Sequence, residues 1–129
     1  MFHRSIHEWL GAHRGEPWAT CPLTENGFVR ILSQPSYRGS RLTTAEAIET
    51  LRGLKTAAGR RHVFWSDEVS ITDPAAIDRA KVAGHAQITD VYLAALAMHK
   101  KGRLVTFDTA VPWYAVVGAT ADLIEIPPV

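Results

Sequence analysis

Between Gln87 and Asp108 the chain passes from a helix signal directly into a strand signal, with a carboxylate near the outer end of each. Thr89 reads as an N-cap, which puts Asp90 in the first turn, where unpaired backbone N–H groups favour negative charge. The run from Val91 to Met98 is apolar on nearly every helical face, so the helix is expected to be buried. Lys100, Lys101 and Gly102 supply the cations and glycine that suit a helix C-terminus. Leu104, Val105, Thr106 and Phe107 then read as a buried parallel strand that delivers Asp108 to its carboxyl end. Open α/β sheets bind ligands at that edge.

Helical and extended signals alternate through the rest of the chain. Phe2, Ile6, Trp9 and Leu10 recur at helical spacing, and Trp18, Ala19, Thr20 and Cys21 follow as a short strand. Pro22 suits the first turn of a second helix with Leu23, Phe28, Ile31 and Leu32 as its apolar stripe. A loop covers positions 34–40. Thr43 or Thr44 starts a third helix with Glu46 at the capping-box position; Ala47, Ile48, Leu51, Leu54 and Ala58 give its period and Gly59 its end. A strand is expected over 62–65, a short helix start over 73–77 and a final strand over 121–126. The pattern specifies an α/β fold with a mainly parallel sheet. With 129 residues, 47% of them hydrophobic, the chain is expected to form a single domain, residues 1–129.

The charge balance, 14 Lys and Arg against 13 Asp and Glu, leaves a formal +1 and no overall basic signature for nucleic acid, so any basic surface is local. Cys21 is the lone cysteine and has no intramolecular disulfide partner; with no leader pattern evident, the expected location is cytoplasmic. No apolar run approaches the roughly 18 residues that span a bilayer.

A third acid, Glu25, falls near the start of the helix that follows the first expected strand, where it can face the same sheet edge as Asp90 and Asp108. Three carboxylates without a His or Cys cluster suit an oxygen-seeking cation, Mg²⁺ or Mn²⁺, better than zinc. The corresponding chemistry is phosphodiester hydrolysis, in which the cation polarises phosphate and lowers the pKa of water. Acids at helix starts also serve as ordinary caps, and that reading stays open at this level.

The segments from Thr24 to Arg30, from Ile88 through Asp90 to Ala97, and from Leu104 to Asp108 resemble, in order and separation, the successive acidic motifs of PIN-domain ribonucleases, most closely the VapC toxins of bacterial toxin–antitoxin pairs. The resemblance extends from about Phe2 to Ile126. It implies a PIN-like three-layer α/β/α fold and a Mg²⁺- or Mn²⁺-dependent endoribonuclease acting on RNA. It further implies a homodimer held inactive by a cognate VapB-like antitoxin. Glu25, Asp90 and Asp108 are the implied catalytic metal ligands. The family pattern opens with an apolar strand bearing another Asp, whereas this sequence starts in the helix that would follow, and Glu8 inside that helix has no motif support as a replacement. The expectation is therefore a PIN-like domain without its first strand and with an incomplete metal site. The alternative reading is a noncatalytic PIN-like module that binds antitoxin or RNA.

Other residues carry weaker signals. Thr106 is a candidate to support the metal ligands, and Arg30, Arg38 and Arg41 are candidates for phosphate or an acidic antitoxin segment; a solvated basic face explains the arginines equally well. Trp113 and Tyr114 suit stacking on an unpaired base, although packing is the more ordinary role. His3 and His7 share a helical face without a third metal ligand, and Cys21 reads as a buried structural thiol.

Overall fold

Two short parallel strand pairs, one joined through two α-helices and the other through 3₁₀ turns, organise the described residues. The computed structural model describes residues 16–34 and 42–127. These divide into two units, residues 16–34 with 42–67 and residues 68–127, and each has its own parallel ladder. The expected first helix, His3, His7 and Glu8, together with Arg38 and Arg41, lie outside the described residues.

In the first unit, β1 (Trp18–Thr20) pairs in parallel with β2 (His62–Phe64), Trp18 facing His62 and Thr20 facing Phe64. The Trp65 N–H donates to the Thr20 carbonyl at 2.8 Å and continues the ladder. A parallel connection needs a long crossover, supplied here by α1 (Pro22–Leu32) and α2 (Thr44–Ala58), which pack on one another. Pro22 at the first helical position removes a donor that would have no helical partner. The Cys21 N–H donates to Thr24 Oγ1 at 2.9 Å, and Cys21 is buried, as expected for a structural thiol. Thr43 and Glu46 form the anticipated reciprocal cap on α2: the Glu46 N–H donates to Thr43 Oγ1 at 3.1 Å and the Thr43 N–H to Glu46 Oε1 at 2.8 Å. Ala47, Leu51 and Ala58 bury one face of α2, and Gly59, at φ 57°, takes the chain out of the helix toward β2.

In the second unit, α3 (Ile88–His99) precedes β3 (Leu104–Val105), which pairs in parallel with β4 (Ile124–Glu125). Val91, Ala94, Ala95, Leu96 and Ala97 are buried, so α3 is the buried helix its composition implies. Val91 and Leu96 are each worth about 1.5–3 kcal/mol when withdrawn from water. Ile77, Val111, Ala115, Val116 and Leu123 are also buried in this unit.

Three local expectations are corrected. Gln87, not Thr89, occupies the N-cap position of α3, without a capping side-chain hydrogen bond, because a 3₁₀ turn at His85–Gln87 feeds directly into the helix and leaves Thr89 inside it. The chain after Asp73 makes turns, not a helix: Asp73 Oδ1 accepts from the Ala75 N–H at 2.9 Å, and this side-chain turn competes with helical backbone bonding. The left-handed residue ending α3 is Lys101, at φ 61°, while the Gly102 N–H donates to the Ala97 carbonyl at 2.8 Å. Both strands of the β3–β4 ladder are shorter than expected: β3 ends at Val105, which is exposed rather than buried, and Ala121–Leu123 is a 3₁₀ turn before Ile124.

Candidate metal and catalytic site

Asp108 lies just beyond β3, where two consecutive side-chain turns hold it. Thr106 Oγ1 accepts from the Asp108 N–H at 3.1 Å, and Asp108 Oδ1 accepts from the Ala110 N–H at 2.8 Å. Thr106 thus fixes the backbone of Asp108 through its hydroxyl, while its own N–H donates to the Glu125 carbonyl at 3.0 Å. Asp108 is exposed. Asp90, in the first turn of α3, is half-buried and adjacent to it.

Burial first, then the charge and hydrogen bond of Asp108, raises the Asp90 pKa above its ordinary 3.8. Burial is the larger cause, and the neighbouring carboxyl group of Asp108 adds to it by opposing the charge on Asp90. Such a pair either retains a proton or gathers a compensating cation. Both side chains offer oxygen alone, so their donor chemistry fits Mg²⁺ or Mn²⁺. At the head of the same helix, Gln87 Oε1 is buried without a hydrogen-bond partner among the described residues.

Glu25 belongs to the other unit, on the first turn of α1, and its surroundings differ in kind. Thr20 Oγ1 donates to Glu25 Oε2 at 2.6 Å and Lys55 Nζ donates to the same oxygen at 2.7 Å. His62 Nε2 lies 2.8 Å from Thr20 Oγ1. Burial acts to raise the Glu25 pKa, but the hydrogen bonds from Lys55 and Thr20, with the charges of Lys55 and His62, outweigh it and the net direction is downward from 4.5. Burial and the Lys55 charge push His62 below 6.5, against the attraction of Glu25. Glu25 is therefore a carboxylate held ionised, whereas Asp90 is one held toward protonation.

The structure brings Asp90 and Asp108 together and supports Asp108 through Thr106. Among the described residues, no group of three or more His, Cys, Asp or Glu side chains is gathered for a metal. Arg30 is exposed in the last turn of α1. Trp113 and Tyr114 meet edge to face, with centroids 5.7 Å apart, and line an open cavity of about 320 Å³ with Lys81 and Asp78. Sequence reasoning passed over Thr20, Lys55 and His62. Thr20 had a usable signal, because a hydroxyl at the end of a strand five positions before a helix-start acid can reach it. Lys55 and His62 had none, since crossover packing and strand register bring them in.

No family model matches the chain, and no solved structure matches it significantly. Curated proteins do. Ribonuclease VapC44 of Mycobacterium tuberculosis is 43% identical over 118 residues, 92% of this chain and 81% of that protein. Ribonuclease VapC39 of the same organism is 40% identical over 126 residues, covering 98% of this chain and 86% of its own length. Ribonuclease VapC38, also from Mycobacterium tuberculosis, is 41% identical over 111 residues, or 86% and 75% of the two chains.

Proposed function

Because the chain belongs to the VapC family of PIN-domain ribonucleases, we propose that it is a toxin-type endoribonuclease that hydrolyses RNA phosphodiester bonds with a divalent cation, Mg²⁺ or Mn²⁺. The observation that carries this reading is the Asp90–Asp108 pair, two carboxyl groups whose mutual repulsion a dication relieves. Asp90 and Asp108 are proposed as ligands, with Glu25 as the third acidic residue of the catalytic set. When bound, the cation supplies Lewis-acid polarisation of phosphate and a lowered pKa for water.

The chain's own groups prepare the carboxylates. Thr106 fixes the turn that presents Asp108, the first turn of α3 presents Asp90, and the N-terminal end of α1 favours the charge on Glu25. Arg30 is assigned to RNA phosphate. The proposed products carry 5′-phosphate and 3′-hydroxyl ends. A cognate VapB-like antitoxin, a homodimeric assembly and action in the cytoplasm complete the reading. Among the described residues no helix is long and apolar enough to cross a membrane.

The ion pair between Lys55 and Glu25 favours one rival, a noncatalytic module that binds RNA or antitoxin without cutting. Incubating the protein with single-stranded RNA in Mg²⁺ or Mn²⁺, and again in EDTA, separates the two. Cleavage that needs the cation and disappears in Asp90→Asn supports the enzyme. Cation-independent cleavage, or tight RNA binding with no cleavage under any condition, defeats it.

A further inference from the structure

Four side chains from four elements form one chain of contacts in the first unit: His62 of β2, Thr20 of β1, Glu25 of α1 and Lys55 of α2. Its polarity follows from proton counting. A threonine hydroxyl has one hydrogen, and a carboxylate has none to give. If Thr20 donates to Glu25 at 2.6 Å, its 2.8 Å contact with His62 is one in which Nε2–H donates to Thr20 Oγ1. Trp18 packs edge-on against the His62 ring, centroids 4.7 Å apart at 60°.

Both donors to Glu25, Thr20 and Lys55, fall on Oε2. Among the described residues Oε1 has no hydrogen-bond partner. The carboxylate is thus oriented from one side and open at its second oxygen. The Lys55 ammonium also lies 5.5 Å from the centroid of the half-exposed Phe64 ring, a second environment that favours a cation. A lysine that leaves Glu25 keeps part of its stabilisation there.

We propose that His62 and Thr20 are positioning residues that fix Glu25 for cation binding, and that Lys55 is a built-in counter-cation that occupies Glu25 until a divalent metal displaces it. This inference rests on the assignment of Glu25 to the metal in the proposed function. The two halves act in opposite directions on affinity. The His62–Thr20 arm fixes the carboxylate and strengthens binding; Lys55 competes and weakens it.

Calorimetric titration of the full chain with Mn²⁺ measures this directly, alongside thermal melts of each variant. Lys55→Met is expected to bind Mn²⁺ about 3- to 10-fold more tightly than the parent, because a competing charge is removed. Thr20→Val is expected to bind about 3- to 10-fold more weakly, while Thr20→Ser, which restores the hydroxyl, returns affinity to within about 2-fold. Rescue by serine distinguishes positioning from packing, since valine preserves the shape and serine does not. Glu25→Gln sets the baseline and should abolish the response to Lys55→Met. The inference is overturned if the parent chain binds no Mn²⁺, if Glu25→Gln binds as tightly as the parent, or if Lys55→Met leaves affinity unchanged or lowers it. Mn²⁺ binding with this pattern but no RNA cleavage leaves the inference standing and overturns the endonuclease reading instead.

Discussion

Glu25 faces an ammonium and a hydroxyl, whereas Asp90 faces another carboxyl group, and the two acids are driven in opposite directions. In the first region, the penalty of partial burial is outweighed by Lys55 and Thr20, so Glu25 stays charged. In the second, burial and Asp108 act in the same direction, so charging Asp90 is opposed. Carboxylates with one proposed role are thus prepared in two ways. One region supplies its own cation, and the other leaves a demand for an external one. Stability and activity should consequently respond differently to neutralising each acid.

The largest effect tests the region that lacks a cation. Asp108→Asn or Asp90→Asn is expected to reduce metal-dependent RNA cleavage by at least about 100-fold, measured as the single-turnover rate, because a neutral amide is a far weaker ligand for a hard dication. Activity within a few-fold of the parent would remove the pair from the proposed chemistry.

Next comes the support of the compensated region. Thr43→Ala breaks the reciprocal cap at the start of α2, the helix that carries Lys55, and should cost about 1 kcal/mol in denaturant unfolding. An unchanged midpoint would mean that α2 is fixed without its cap.

A sharper test sets the two acids side by side by thermal melting. Glu25→Gln should lower Tm by about 1–3 °C at pH 7 and Asp90→Asn should raise it by a similar amount. The depressed pKa of Glu25 contributes stability that is present above its unfolded value, near 4.5, and lost as pH falls through the lower folded value. The raised pKa of Asp90 works in reverse: the contribution is present below 3.8 and lost as pH rises through the higher folded value. Both Tm differences should therefore shrink as the solution is acidified below these values. Shifts of the same sign at pH 7 would mean that the two acids are not driven in opposite directions.

The smallest expected effect lies at the far end of α3. Lys101 holds a left-handed conformation that costs a side-chain-bearing residue about 1–2 kcal/mol, so Lys101→Gly should stabilise by roughly 0.5 kcal/mol once the greater freedom of glycine in the unfolded chain is subtracted. Chemical denaturation would register that gain, and a loss would mean that the lysine side chain contributes more at this position than its backbone strain costs.

Local chemistry made much of this fold readable. Thr43 and Glu46 announced α2, Pro22 announced α1, and the apolar run after Asp90 announced a buried helix, because each signal depends on neighbours within one or two turns. The misreadings came where two local preferences competed. Thr89 has the chemistry of a cap, yet the preceding 3₁₀ turn had already started the helix at Ile88, and Asp73 spent its carboxylate on a turn instead of opening a helix. Thr106 was named from its place beside Asp108 alone, and in the fold its hydroxyl accepts from the Asp108 N–H and shapes the turn that carries the acid.

The identity and order of the three acids, the α/β alternation and the membership of the family reside in residue type and spacing along the chain. The electrostatic condition of each acid comes instead from the folded arrangement. Parallel pairing of β1 with β2 brings His62 into reach of Thr20, the packing of α2 on α1 brings Lys55 onto Glu25, and the path from α3 through β3 sets Asp108 against Asp90. Coulombic and hydrogen-bond energies depend on distances through space, and positions 30 or more apart in sequence have no fixed distance until the chain has folded.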